Sequence, residues 1–180
     1  MQSADQVISF WFDDHNSEDW FGAKAEFDAK VSESFRLLLP KVAHGEAWAW
    51  RETADGRVAE IIVLDQFSRQ LHRGSPLAFA NDAMALALAQ EAVSQGFDQK
   101  LPLPKRMFLY MPYMHAESII IQNEGVKLFA QFGPEQLKFM NEHAETIARF
   151  GRFPMRNAAL GRENTPDELA YITERQGKMY

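Results

Sequence analysis

The stretch Arg57-Val58-Ala59-Glu60-Ile61-Ile62-Val63-Leu64-Asp65-Gln66-Phe67-Ser68-Arg69-Gln70-Leu71 decides the fold class. Its centre, Ile61-Ile62-Val63-Leu64, is rich in β-branched residues and would pass for a buried strand if read alone. Read four residues further each way, the apolar positions Val58, Ile61, Ile62, Leu64 and Phe67 follow a helical pattern. The segment Ile119-Ile120-Ile121 poses the same question. It gets the same answer, because it lies in a longer helical pattern carrying Met114, Val126, Leu128 and Phe129. No segment makes a convincing strand, so the sequence predicts an all-α protein.

Working outward, Val7, Ile8, Phe10, Trp11 and Phe12 predict a short helix ending near Asp13-Asp14. Phe27, Val31, Phe35, Leu38 and Val42 recur at three- and four-residue spacing, the mark of one buried stripe. They predict a helix from about Lys24 to His44, which Pro40 should kink or end. Gly45 to Gly56 reads as a connection carrying Trp48 and Trp50. Ser75 before Pro76 is a side-chain cap with proline at the first helical position, so a helix is expected from there to Gln95, stopped by Gly96. Leu101 to Pro104 reads as a turn, and Lys105 to Met111 as one or two helical turns. Pro112 should start or kink the next helix. Gly133-Pro134 precedes a helix at about Glu135 to Phe150. Thr165-Pro166-Asp167-Glu168 is a capping signature that should open the last one. The expectation is seven to nine helices, many as antiparallel neighbours, forming a helical array or irregular bundle over one domain, residues 1–180. No clean internal repeat is visible.

Composition narrows the function classes. The chain has 19 Lys plus Arg against 25 Asp plus Glu, a formal charge of -6, which gives no reason to expect nonspecific nucleic-acid binding. It has no cysteine, and so no disulfide, thiolate nucleophile or cysteine metal ligand. The start lacks the pattern of a signal peptide and no apolar run reaches membrane-span length, so a cytoplasmic protein with no membrane partner is expected. The chain lacks GxxxxGK[ST], GxGxxG after a strand and GxSxG. Nothing calls for haem, flavin or a nucleotide, and no cofactor is expected.

The residue clusters with chemical potential are three. Glu60, Asp65, Arg69 and Arg73 share one helix and its exit, with Asp65 and Arg69 four apart in the order that favours an ion pair. They read either as an intrahelical pair plus a tertiary one, or as Arg69 and Arg73 reaching an anion. His115 and Glu117 lie two apart, on different faces of a regular helix; they could converge only at a helix start or an irregular turn. HxE lacks the HExxH spacing of a zinc site. No metal site is expected, and His115 reads as a core histidine or as a general base oriented by Glu117 or Asp65. The third cluster is Arg149-Phe150-Gly151-Arg152-Phe153-Pro154-Met155-Arg156-Asn157, followed by Gly161-Arg162-Glu163. Arginine forks suit carboxylate or phosphate, and the phenylalanines could stack on them. Internal partners also exist, namely Glu117, Glu124, Glu142, Glu145 and Glu163. The segment is therefore an anion site, an ionic lock, or both.

The chain resembles the bacterial family catalogued as domain of unknown function 924. The resemblance rests on Phe10-Trp11-Phe12, Trp20-Phe21, Ile61 to Gly74, Phe79-Ala80-Asn81-Asp82, Phe108 to Glu117 and Arg149 to Pro166. It implies an all-helical protein related to the tetratricopeptide-like superfamily of stacked helix pairs, and carries over no catalytic role. The family pattern has histidine where this chain has Met155 and serine where it has Ala116, so no mechanism needing an imidazole at 155 is expected here.

Three functional readings follow. The first is a noncatalytic binding domain holding a small anion or acidic peptide on Arg69, Arg73, Arg149, Arg152, Arg156, Asn157 and Arg162. The second is a small hydrolase or transferase for a phosphorylated or carboxylated substrate with His115 as base. The third is a structural or protein-interaction module with every motif arginine engaged by internal carboxylates and carbonyls. Trp48 or Trp50 would mark a dimer contact if exposed, and the chain is expected as a monomer or homodimer.

Overall fold

The computed structural model describes residues 2–175, and among these there are helices and turns but no strand. Contacts divide the chain into two compact units, Met1–Arg73 with Leu77–Pro112, and Gly74–Pro76 with Tyr113–Tyr180.

The first unit opens with α1 (Ala4–Phe12), held at its start by a capping box in which Ser3 and Gln6 bond reciprocally. Its Trp11 is fully buried and becomes the centre of an aromatic core. Trp20, on the short α2 (Ser17–Phe21), stacks on it at 5.7 Å, and Phe27, Phe67 and Phe108 surround it at 5.4–5.7 Å. The predicted stripe of Phe27, Val31 and Phe35 is buried on α3 (Ala25–Phe35). The expected continuation to His44 is interrupted. Proline has no N–H and its ring crowds the carbonyl four residues back, so residues 36–38 turn and α4 (Leu39–Ala43) starts afresh around Pro40.

The deciding stretch is helical throughout but not uniformly α. It runs as α5 (Ala54–Ile61), a π-helical segment Ile62–Phe67, and α6 (Ser68–Leu71). Every residue from Gly56 to Ser68 is buried, as expected of a helix apolar on most faces. Gly56 is required by close approach: a Cβ there would sit 2.0 Å from the Trp50 carbonyl oxygen. The helix expected from Pro76 is not continuous. Pro76–Ala78 is a single 3-10 turn, and α7 (Asp82–Ser94) begins only after Asn81, burying Ala85, Ala89 and Ala92. Gly96, at φ +71°, follows it as predicted.

Helix α8 (Leu103–His115) runs on through Pro112, beyond the one or two turns expected. Pro112 costs it one hydrogen bond without ending it, and the break falls instead at Ala116–Ser118. In the second unit α9 (Ile119–Phe129) and α10 (Pro134–Phe150) pack together. Gly125 lies in that contact, where a Cβ would meet Met140 Cε at 2.8 Å. Gly151, in the left-handed region, caps α10. Then come the 3-10 turn Pro154–Arg156, the single-turn α11 (Asn157–Leu160), and α12 (Pro166–Glu174) behind its predicted Thr165–Glu168 capping box. Among the described residues eight α-helices have eight residues or more, within the expected seven to nine, and four others have only four or five.

Candidate functional site

In the first unit, the π-helical segment places Asp65 1% exposed, where an isolated carboxylate would be costly. Gln66 Nε2 donates to Asp65 Oδ2 at 2.6 Å and Arg69 Nη1 lies 3.2 Å from Oδ1. Arg69 then forks onto Asp82, at 3.0 Å to each oxygen, and Asn81 Nδ2 donates to Ser68 Oγ at 3.1 Å. The stretches around Asp65–Arg69 and Asn81–Asp82, each singled out in the sequence, are thus bonded to one another. Burial opposes the Arg69 charge, but Asp65 and Asp82 outweigh it and hold the guanidinium above its ordinary pKa. Arg73 forks onto Asp28 of α3 at 2.8 and 2.7 Å. Glu60, which the sequence grouped with these, takes the fork of Arg51, at 2.7 Å on each oxygen.

In the second unit, the His115-Ala116-Glu117 turn and the basic segment form one hydrogen-bonded body. Helix α8 ends at His115, so the pair at spacing two falls on an irregular turn. Carbonyls at and just beyond that helix end are met by side-chain donors. Gln122 Nε2 reaches Met114 O at 2.7 Å and Ala116 O at 2.8 Å, and Arg156 Nη2 reaches His115 O at 3.0 Å. Glu117 accepts the Arg162 fork at 2.7 and 2.9 Å and the Phe153 main-chain N–H at 2.8 Å. Burial pushes the Glu117 carboxyl up, but those hydrogen bonds and the fields of Arg162 and Arg156 prevail and hold it low. Arg162 also donates to Asn157 Oδ1 at 2.9 Å and to Phe153 O at 3.2 Å. Arg156, 9% exposed, lies 4.6 Å over the Phe153 ring.

The remaining arginines fasten the following helix. Arg152 forks onto Glu168 at 2.7 and 2.9 Å while that carboxylate also closes the α12 capping box from Thr165 N at 2.8 Å. The Arg152 hydrogen bonds, aided by the Thr165 amide, hold the Glu168 carboxyl at about 2. Arg149 reaches Asp167 at 3.3 Å on the exposed side. Asn157, with no exposed surface, donates to Asn164 Oδ1 at 2.7 Å.

His115 is buried. His143 is buried too, donating from Nδ1 to the Phe139 carbonyl at 2.7 Å. Burial, helped by the fields of His115 and Arg156, outweighs that hydrogen bond and depresses the His143 pKa to about 3, so the ring is neutral at ordinary pH. Among the described residues no group of three or more His, Cys, Asp or Glu is placed to hold a metal, and no helix is long and apolar enough to cross a membrane.

These features describe an all-helical protein whose sequence motifs are tied to one another through arginine. The chain belongs to the family described as bacterial protein of unknown function (DUF924), whose model matches residues 7–176. A solved structure described as a protein of unknown function, ATU0120 from Agrobacterium tumefaciens, is 36% identical. The match covers 95% of this chain and 97% of that one, with a TM-score of 0.91. Among curated proteins none matches.

Sequence reasoning did not single out Gln122 or Asp28, and it read Glu168 and Asp167 only as helix-start residues. Gln122 carries no local signal, because its role is defined by carbonyls six and eight residues earlier. Glu168 did carry one. A capping-box carboxylate has two oxygens, and only one is needed at the cap.

Proposed function

We propose that the protein is a noncatalytic helical interaction module in which the motif arginines act as internal locks. The observation that carries this is Arg162, whose fork is engaged by Glu117, Asn157 and the Phe153 carbonyl together. An arginine kept for a ligand is best left with its fork facing the ligand, whereas this one has its donors directed at acceptors of the same chain. Arg69, Arg152 and Arg156 follow the same pattern. The buried His115, beside a histidine held neutral, favours a core role over that of a base. Recognition of partners then falls to surface outside the motifs, which carries large exposed apolar side chains such as Trp48 and Ile120.

The test is thermal melting of wild type, Arg156→Ala and Arg162→Ala in plain buffer and with phosphates, short carboxylates and acidic peptides. Both variants should melt well below wild type in plain buffer. Any stabilisation of wild type by an anion should persist in them. An anion that stabilises wild type saturably, with the effect gone in Arg162→Ala and the apo melting of that variant unchanged, would establish a ligand site instead.

A further inference from the structure

Among the described residues every arginine but one sends its guanidinium to an acceptor of the same chain, a carboxylate or a main-chain carbonyl. The exception among the described residues is Arg36, at the C-terminal end of α3, whose exposed guanidinium forms no hydrogen bond or ion pair. It stands on the wall of an open groove of about 480 Å³ in the first unit, formed by the ends of α3, α4 and α6 and the residues following Leu77. That volume is in the range of small-molecule sites. The walls are mainly apolar, from Leu39, Pro40, Leu71 and Leu77 among others, and Leu77 is 55% exposed at the lip. The other ionisable groups lining it are the imidazoles of His44 and His72, and no carboxylate contributes to the lining. The chain carries 25 acidic residues against 19 basic ones, and none of the 25 lines this groove.

A cation at a helix C-terminus is favourable by itself. That would account for Arg36 alone. It does not account for a concave apolar surface beside it, or for two imidazoles on the same walls.

We propose that this groove binds a small organic monoanion, a carboxylate carrying an apolar body. The carboxylate would be held by the Arg36 fork and the N–H groups of His44 and His72, with the body against Leu39, Pro40 and Leu77. Charge and shape select this occupant. Arg36 offers an uncommitted bidentate donor that matches a carboxylate, and the apolar lining rewards a hydrocarbon part that inorganic anions lack. The inference goes beyond the lock reading, since it concerns an arginine outside the motifs.

Octanoate is the probe. Octanol serves as its uncharged counterpart, and acetate and inorganic phosphate as anions without an apolar body. Each is titrated calorimetrically into wild type, Arg36→Gln and Leu77→Asp. Both substitutions are on exposed side chains, and an unchanged melting temperature without ligand certifies their folding. Octanoate should bind saturably, at least about tenfold more weakly to Arg36→Gln, as expected when a charged hydrogen bond is lost. Leu77→Asp should weaken it similarly, and octanol and phosphate should bind far more weakly. Absence of saturable octanoate binding, equal affinity for octanol or phosphate, or undiminished affinity in both variants would overturn the proposal. Binding that survives in Arg162→Ala, measured below its melting point, keeps the groove separate from the lock. Binding lost there but kept in Arg36→Gln would overturn both readings.

Discussion

Replacing Arg162 by alanine removes the fork that holds Glu117. Its two hydrogen bonds to that carboxylate are 2.7 and 2.9 Å long, and the partners are 23% and 25% exposed. Breaking a fully buried pair by deleting one member costs about 3–5 kcal/mol, and a well-solvated pair is worth at most about 1. Partial exposure places this pair between those limits, at about 2. The fully buried Asn157 loses a donor to its Oδ1, and the Phe153 carbonyl loses another, together about 1 more. The expected cost is therefore about 3 kcal/mol, or a melting temperature lowered by roughly 6–12 °C for a chain of this length. Urea denaturation should be followed by far-UV circular dichroism, because all 4 tryptophans lie in the first unit and Arg162 in the second. Glu117→Gln and the double variant complete a cycle, whose coupling term should reach about 1.5–3 kcal/mol. A loss under about 1 kcal/mol, or additive single effects, would show that Glu117 does not depend on Arg162 and would make Arg162 a ligand candidate.

Further outcomes are expected. His143 has a pKa depressed to about 3 in the fold against 6.5 ordinarily, so the unfolded chain binds the extra proton first. Stability should be full above pH 6.5 and fall toward pH 3 by up to about 1.4 kcal/mol per unit, a slope that His143→Gln should flatten in urea titrations at a series of pH values. Glu168, held at about 2, contributes stability present above its ordinary 4.5 and lost as pH falls toward 2. Glu168→Gln should therefore reduce the acid dependence of melting in that window. Thr165→Ala removes the hydroxyl that accepts from Glu168 N and should cost about 1 kcal/mol by denaturant midpoint. Gly56→Ala puts a methyl 2.0 Å from a main-chain oxygen and should cost about 1–3 kcal/mol, with a wild-type melting curve counting against the close approach.

The helices were legible because their signals are local. The Phe27-Val31-Phe35 stripe, the Thr165–Glu168 box and the stops at Gly96 and Gly133-Pro134 all act within a turn or two of chain. Reading Ile61–Leu64 as helix succeeded for the same reason, once its flanks were included. Where the sequence misled, a local signal was overridden. Ser75-Pro76 has the form of a helix start, yet only a 3-10 turn forms there, and the residues before α7 instead place Asn81 against Ser68. Nor does any local pattern announce the π-helical segment at Ile62–Phe67, since its wider hydrogen-bond register lies in a stretch buried on every side.

The all-helical class, the family, and the list of arginines that must either be paired or bind an anion can all be read from residue order alone. Which of these arginines have an acceptor of the same chain within reach was decided only by the packing of the helices. Arg162 and Glu117 are 45 positions apart, and so are Arg73 and Asp28. Ion pairs across such distances depend on how helices pack, and sequence spacing carries no trace of it. Arg36 marks the same limit from the other side. Nothing in its neighbourhood along the chain distinguishes it, because lacking an internal acceptor while lining a groove is a property only the folded chain has.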